Sequence, residues 1–204
     1  AEFFDLLLAA WFALSALVFV VVSLVSAPYG RHKRDGWGPV MPARMGWVLM
    51  ELPPVVIFGL LLFASDRLDN PVAWVFFAMW QSHYLYRAFV YPFRSTVAGK
   101  KMPVLVMSLG FSTHLPIDYL NARWLFALSP LYETSWFVDP RFLVGCSLFF
   151  AGMALNHHAD DVLRRLRKPG EGGYKIPYAG AFRWVSCPNY LGEIIEWTGW
   201  AVAT

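Results

Sequence analysis

Ionisable and amide side chains set into long apolar runs cost several kcal/mol to bury, and they usually line a cavity or a functional path. Four such runs carry them here at helical spacing. Glu51 stands alone in the second run, directly before Pro53 and Pro54. In the third, Gln81, Tyr84, Arg87 and Tyr91 are three or four residues apart, so they share one helix face. Asn156, Asp160 and Arg167 form a second stripe, and Asn189, Glu193 and Glu196 a third. A single polar stripe can be hydrogen-bonding glue between membrane helices. Four of them beside one basic loop predict a convergent pocket.

That loop, Arg164 to Pro188, is basic, and Pro169, Gly170, Gly172, Gly173 and Pro177 deny it regular structure. It suits either anionic lipid headgroups or a phosphorylated cofactor. In the second case arginine forks hold the phosphates, while Asn156 and Asp160 address ribose hydroxyls. The chain has no GxGxxG and no GxxxxGK[ST], so neither a Rossmann site nor a P-loop is expected. His157, His158, Asp160 and Asp161 have no accompanying ligand cluster, and no metal is expected. Cys146 and Cys187 make no disulfide framework.

These residues need a membrane-embedded scaffold. Of 204 residues 57% are apolar, 18% aromatic and only 15% charged, with a mean hydropathy of +0.45. Soluble domains run at about 25% charged, so a water-soluble globule is excluded. The net charge of +3 is too small to suggest a nucleic-acid partner. Six segments are predicted: Leu6 to Ala27, Met45 to Ala64 (broken or kinked at Pro53 and Pro54), Val72 to Tyr91, Val104 to Leu128 (interrupted by Pro116 and Asp118), Phe142 to Val162, and Asn189 to Thr204. Glu2 and Asp5 occupy the place of a positive n-region, which disfavours a signal peptide. The expected class is therefore an all-α integral membrane protein, a multi-pass helical bundle forming a single domain over residues 1–204.

Short loops rich in Lys and Arg stay cytoplasmic. With the N-terminus outside, the inner loops hold Arg31, Lys33, Arg34 and Arg44, then Arg94, Lys100 and Lys101, then Arg164, Arg165, Arg167, Lys168, Lys175 and Arg183. That is 13 of the 17 basic residues. Arg67, Arg123 and Arg141 remain outside, and Arg87 lies in the third segment.

The runs Asn156-His157-His158-Ala159-Asp160, Leu166-Arg167-Lys168-Pro169-Gly170-Glu171, Tyr174-Lys175-Ile176-Pro177 and Val185 through Trp197 resemble the C-terminal signature of the steroid 5-alpha-reductases. Upstream, Tyr29-Gly30-Arg31-His32, Glu51-Leu52-Pro53 and His83-Tyr84-Leu85-Tyr86-Arg87 continue the resemblance over nearly the whole chain. The Asn-Tyr-x-Gly-Glu element alone also occurs in sterol reductases, polyprenol reductases and membrane methyltransferases of the isoprenylcysteine type. The resemblance implies NADPH-dependent reduction of the C4–C5 double bond of a 3-oxo-Δ4 steroid to the 5-alpha-dihydro product, in a seven-helix membrane fold of which six segments are visible.

By the same resemblance, Glu51 and Tyr84 face the C3 carbonyl. Tyr29, Asn156, Asp160, Arg167, Tyr174 and Asn189 hold NADPH, with Glu193 beside the nicotinamide, and Arg87 and Lys100 are assigned to the cofactor as well. The steroid is expected to enter from the bilayer, with membrane lipids as the other partners, and NADPH from the cytoplasm. A monomer is expected, in a bacterial inner membrane or the endoplasmic reticulum. Met50 stands where the family often has Gln, and the family's arginine in the fourth helix has no counterpart. The last run, about 24 Å long at 1.5 Å per residue, is shorter than a span, so the chain is expected to stop before its last native helix. Two rival classes remain, a membrane methyltransferase using S-adenosylmethionine and a non-enzymatic lipid-binding or scaffold protein, and within the reductases the steroid reading competes with reduction of polyprenols or enoyl thioesters.

The enone chemistry also fits the residue types. Hydride arriving at the β-carbon pushes charge onto the carbonyl oxygen, where a donor such as Tyr84 lowers the barrier by roughly 3 kcal/mol. Glu51, isolated among apolar neighbours, is expected to be protonated and to donate directly or to orient the tyrosine.

Overall fold

The computed structural model describes residues 2–25, 36–94, 99–166 and 175–204. All six predicted segments are helical: α1 (Glu2–Leu24), α2 (Ala43–Phe63), α3 (Pro71–Leu85), α4 (Tyr91–Arg94), α5 (Val104–Arg123), α6 (Pro140–Arg165) and α7 (Pro188–Ala203). The third segment is α3 continued through a π-helical turn, Tyr86–Val90, into α4. The fourth is α5 followed by a second π turn, Trp124–Leu128. Three helices, α1, α2 and α6, are long and apolar enough to cross a membrane. The protein is an all-α, multi-pass membrane protein.

The described residues fall into two compact units, Ala1–Phe93 with Val97–Leu131, and Tyr132–Thr204 with Arg94–Thr96. In the first, α2 and α5 run parallel, with Gly46 against Met102 and Gly110 against Met50. Their N-termini are preceded by Pro42 and Pro103, which offer no side-chain cap. A two-stranded antiparallel ribbon, β1 (Val40–Pro42) with β2 (Lys101–Pro103), supplies the caps instead. Ala43 N donates to Lys100 O (2.9 Å) and Val104 N to Pro39 O (2.9 Å), so each strand satisfies an orphan donor of the other's helix. Helix α3 starts on a side-chain cap: Asn70 Oδ1 accepts from Val72 N (2.8 Å) and Ala73 N (3.2 Å), ahead of Pro71 at the first helical position.

The break expected at Pro53 and Pro54 is not there, because α2 is continuous through both. Two prolines remove two backbone donors and so leave Leu49 O and Met50 O without their helical partners. Just beyond them Gln81 Nε2 of α3 donates to Val55 O at 2.9 Å, which ties α3 to α2. Below this point Phe58 stacks on Trp80 at 4.3 Å and meets Phe126 edge-on at 5.1 Å, and all three are buried.

The second unit is an antiparallel pair, α6 and α7, in backbone contact. Gly145 lies against Ala203, Gly199 against Phe149, Gly152 against Glu196, and Gly192 against Asn156. Small residues seven apart on both helices allow this approach, as at many membrane interfaces. Asp139 caps α6, accepting from Arg141 N at 2.8 Å, and the Arg141 guanidinium holds the Asp139 carboxyl below the usual carboxylate range. Trp136 Nε1 and Tyr132 Oη donate to the last carbonyls of α7, Ala203 O and Thr204 O.

Candidate active site

The first unit gathers its polar residues around Glu51, which is 4% exposed in the middle of α2. Each carboxylate oxygen has a basic partner. Arg87 Nη2 lies 3.3 Å from Oε1, and His114 Nε2 3.4 Å from Oε2. Arg87 sits in the π turn after α3 and is held flat by aromatics, its guanidinium carbon 5.0 Å from the ring centres of Trp47 and of Tyr91. Single π turns recur at functional sites because the extra residue per turn re-aims side chains. Tyr84 is buried one turn before Arg87, its ring perpendicular to that of His114 with centres 5.5 Å apart.

The expectation that Glu51 is isolated among apolar neighbours is therefore corrected. A carboxylate facing a guanidinium on one oxygen and an imidazole on the other is placed as an acceptor. Neither partnership follows from spacing, because Arg87 comes from the third segment and His114 from α5, and only packing brings them to α2. Asp118, read as an interruption, lies one turn further along the same face of α5. The stripe on the third segment divides. Gln81 is spent on Val55 O, which is the glue role, while Tyr84, Arg87 and Tyr91 stay with Glu51.

Lys100 and Arg87, both assigned to the cofactor, lie in this first unit. The carbonyl of Lys100 caps α2, and its exposed side chain borders a cavity of about 440 Å³ with Arg44 and Lys101. Met50, where the family often has Gln, fills the hollow left by Gly110.

The second unit brings three of the remaining residues together. Asn156 is 3% exposed, and its Nδ2 donates to Asn189 O at 3.0 Å and to Glu193 Oε1 at 3.3 Å. Asp160 follows Asn156 by one turn on α6. Glu196, the third member of its stripe, is fully buried where α7 meets Gly152, inside the helix contact rather than at this edge. Beyond α6, Gly180 adopts φ +60°, and a Cβ there would fall 2.6 Å from His158 Nε2, so glycine is needed on both counts. Tyr29, Arg167 and Tyr174 lie outside the described residues. An amide and two carboxylates in one row suit the hydroxyls and carboxamide of a dinucleotide. The cationic groups that a diphosphate needs were predicted at Arg167 and its neighbours.

Helices that bury a carboxylate, two basic groups and a tyrosine inside an apolar body define a membrane-embedded enzyme. The description "3-oxo-5-alpha-steroid 4-dehydrogenase" belongs to the family model that matches residues 100–204. Over 189 residues the chain is 40% identical to "Steroid 5-alpha-reductase DET2" of Gossypium hirsutum, covering 91% of this chain and 73% of the relative. It is 41% identical over 197 residues to "3-oxo-5-alpha-steroid 4-dehydrogenase 1" of Bos taurus, covering 94% and 76%. The Homo sapiens protein of the same name is 39% identical over 195 residues, covering 94% and 74%. The chain belongs to the 3-oxo-5-alpha-steroid 4-dehydrogenase family and is an oxidoreductase.

Proposed function

We propose that this protein reduces the C4–C5 double bond of a 3-oxo-Δ4 steroid to the 5-alpha-dihydro product, with NADPH as reductant. The observation that carries the reading is the buried cluster of Glu51, Arg87, His114 and Tyr84 in a chain of this family. Bound NADPH would supply the hydride. Tyr84 then presents its hydroxyl to the carbonyl oxygen, where negative charge develops, and a preorganised donor in a dry site acts most strongly there. Glu51, pinned by Arg87 and His114, keeps the polar end of the pocket fixed. Asn156, Asn189 and Glu193 hold the nicotinamide half of the cofactor, with Asp160 on a ribose hydroxyl; Arg167, Tyr174 and Tyr29 complete its site.

The steroid enters from the bilayer and the cofactor from the cytoplasm, with the N-terminus outside. The ribbon supports that orientation by placing Arg44, Lys100 and Lys101 together at the N-terminal ends of α2 and α5. Family membership favours this reading over a methyltransferase, which gives Glu51 and Tyr84 no role. Purified protein incubated with NADPH and a panel of enone lipids, read by mass spectrometry, tests it. Gain of two hydrogens on 3-oxo-Δ4 steroids is expected. Reduction confined to polyprenals or enoyl thioesters would overturn the substrate assignment.

A further inference from the structure

His114 and Asp118 have so far been given no step of their own. They stand four residues apart on α5, and the His114 ring bridges two carboxylates, with Nε2 3.4 Å from Glu51 Oε2 and Nδ1 3.8 Å from Asp118 Oδ1. Asp118 is fully buried, and neither of its oxygens has a hydrogen-bond partner among the described residues. A lone buried carboxylate is strongly disfavoured unless a cation compensates it. The charges balance with Glu51 and Asp118 negative and Arg87 and a doubly protonated His114 positive, or with Asp118 protonated and His114 neutral; the ring nitrogens facing one carboxylate each favour the first. Other titratable groups near this cluster come from the third segment, His83, Tyr84 and Arg87. Helix α1 meets α5 through Phe3 and Phe4.

We propose that His114, oriented by Asp118, is a positioning residue that acts through Glu51 and carries the proton consumed by the reduction. The inference rests on the reading that the Glu51 end takes the substrate carbonyl. Hydride from the reduced nicotinamide adds at the enone β-carbon, and the displaced π electrons leave negative charge on the carbonyl oxygen. The Nε2 proton of His114 moves to Glu51 Oε2, its bonding pair staying on the nitrogen, and Glu51 delivers that proton to the enolate oxygen. The resulting enol takes a proton from water at the α-carbon and returns its O–H proton to water, which leaves the saturated ketone. Asp118 stays ionised throughout and holds the ring through Nδ1, and His114 regains its proton from water.

The test uses the full chain in detergent with His114→Gln and Asp118→Asn. A general acid contributes about 10²-fold or more. The kcat of the parent should fall at alkaline pH as His114 loses its proton; His114→Gln should lower kcat by at least about tenfold with the KM for NADPH little changed, and should lose that alkaline fall. In ¹⁵N-histidine spectra of the parent, the resonance that His114→Gln removes should be doubly protonated, and Asp118→Asn should shift it toward the neutral ring. Unchanged kcat and pH profile in both variants would overturn the relay, as would a neutral His114 in the parent. If His114→Gln fails to fold, His114→Asn takes its place in assigning the resonance and Asp118→Asn supplies the kinetic readout. A parent that reduces no enone lipid refutes the functional reading instead, and the histidine resonance still decides the relay.

Discussion

Arg87 and Glu51 lie 36 residues apart in sequence, and they meet at 3.3 Å with the guanidinium carbon 5.0 Å from the ring centres of Trp47 and Tyr91, which touch each other edge-on. This contact separates two roles for Arg87. A cofactor ligand would affect NADPH binding when removed, whereas a partner of Glu51 would affect the chemical step. The geometry predicts the second. Arg87→Leu should lower kcat at least tenfold and leave the NADPH titration within about threefold. Stranding a mostly buried carboxylate should also destabilise the protein by about 2–3 kcal/mol, toward the low end for broken buried pairs because Arg87 is partly exposed. The double variant Arg87→Leu with Glu51→Leu should recover thermal stability in detergent without recovering activity. Arg87→Lys should not rescue, since a compact ammonium cannot meet both rings and the carboxylate as a planar guanidinium does.

Tyr84→Phe keeps the ring that packs on Trp80, His83 and His114 and removes only the hydroxyl. Turnover of a 3-oxo-Δ4 steroid should fall about 10²-fold, with NADPH affinity within a few-fold. Near-normal turnover would remove Tyr84 from the carbonyl.

Asn156 is the hub of the second unit, donating to Asn189 O and to Glu193. Asn156→Ala releases Glu193 and leaves the α7 end short of a donor. A tenfold rise in the apparent NADPH constant is expected, equivalent to about 1.4 kcal/mol, with the steroid KM unaffected. Equal changes in both constants would point to general unfolding instead of a cofactor site.

Much of this was legible in the chain because helical periodicity survives any packing. The stripes through Tyr84 and Arg87, and through Asn156, came from spacing alone. The helices α3 and α6 start at Pro71 and Pro140, just ahead of the apolar runs from Val72 and Phe142. What spacing cannot supply is which stripe a neighbour consumes. Gln81 and Tyr84 share a face, yet Gln81 is used to tie α3 to the backbone of α2 at Val55 O. His114 has no polar neighbour within three residues on either side except Ser112 and Thr113, so its meaning comes only from α2 lying beside α5. The π turn that aims Arg87 has no sequence signature at all.

The closest helix contact gives a prediction with its own control. A Cβ built on Gly192 would lie 2.6 Å from Asn156 N, 2.7 Å from Gly152 O and 2.9 Å from Asn156 Cα. All three are backbone atoms of the facing helix, so no rotamer change relieves the clash, and α6 and α7 must separate. Gly192→Ala should destabilise the protein by about 1–3 kcal/mol, in the range of overpacked cores, although alanine is the better helix former by about 1 kcal/mol. Separation also pulls Glu193 away from Asn156, so NADPH affinity should fall together with thermal stability. Gly59 in α2 is the contrast. A Cβ there meets only Phe77 at 4.0 Å, which leaves the helix-propensity gain unopposed. Gly59→Ala should match or exceed the parent in thermal unfolding and keep its cofactor titration. If both alanine variants behave alike, backbone contact between α6 and α7 is not what holds Asn156 against Glu193.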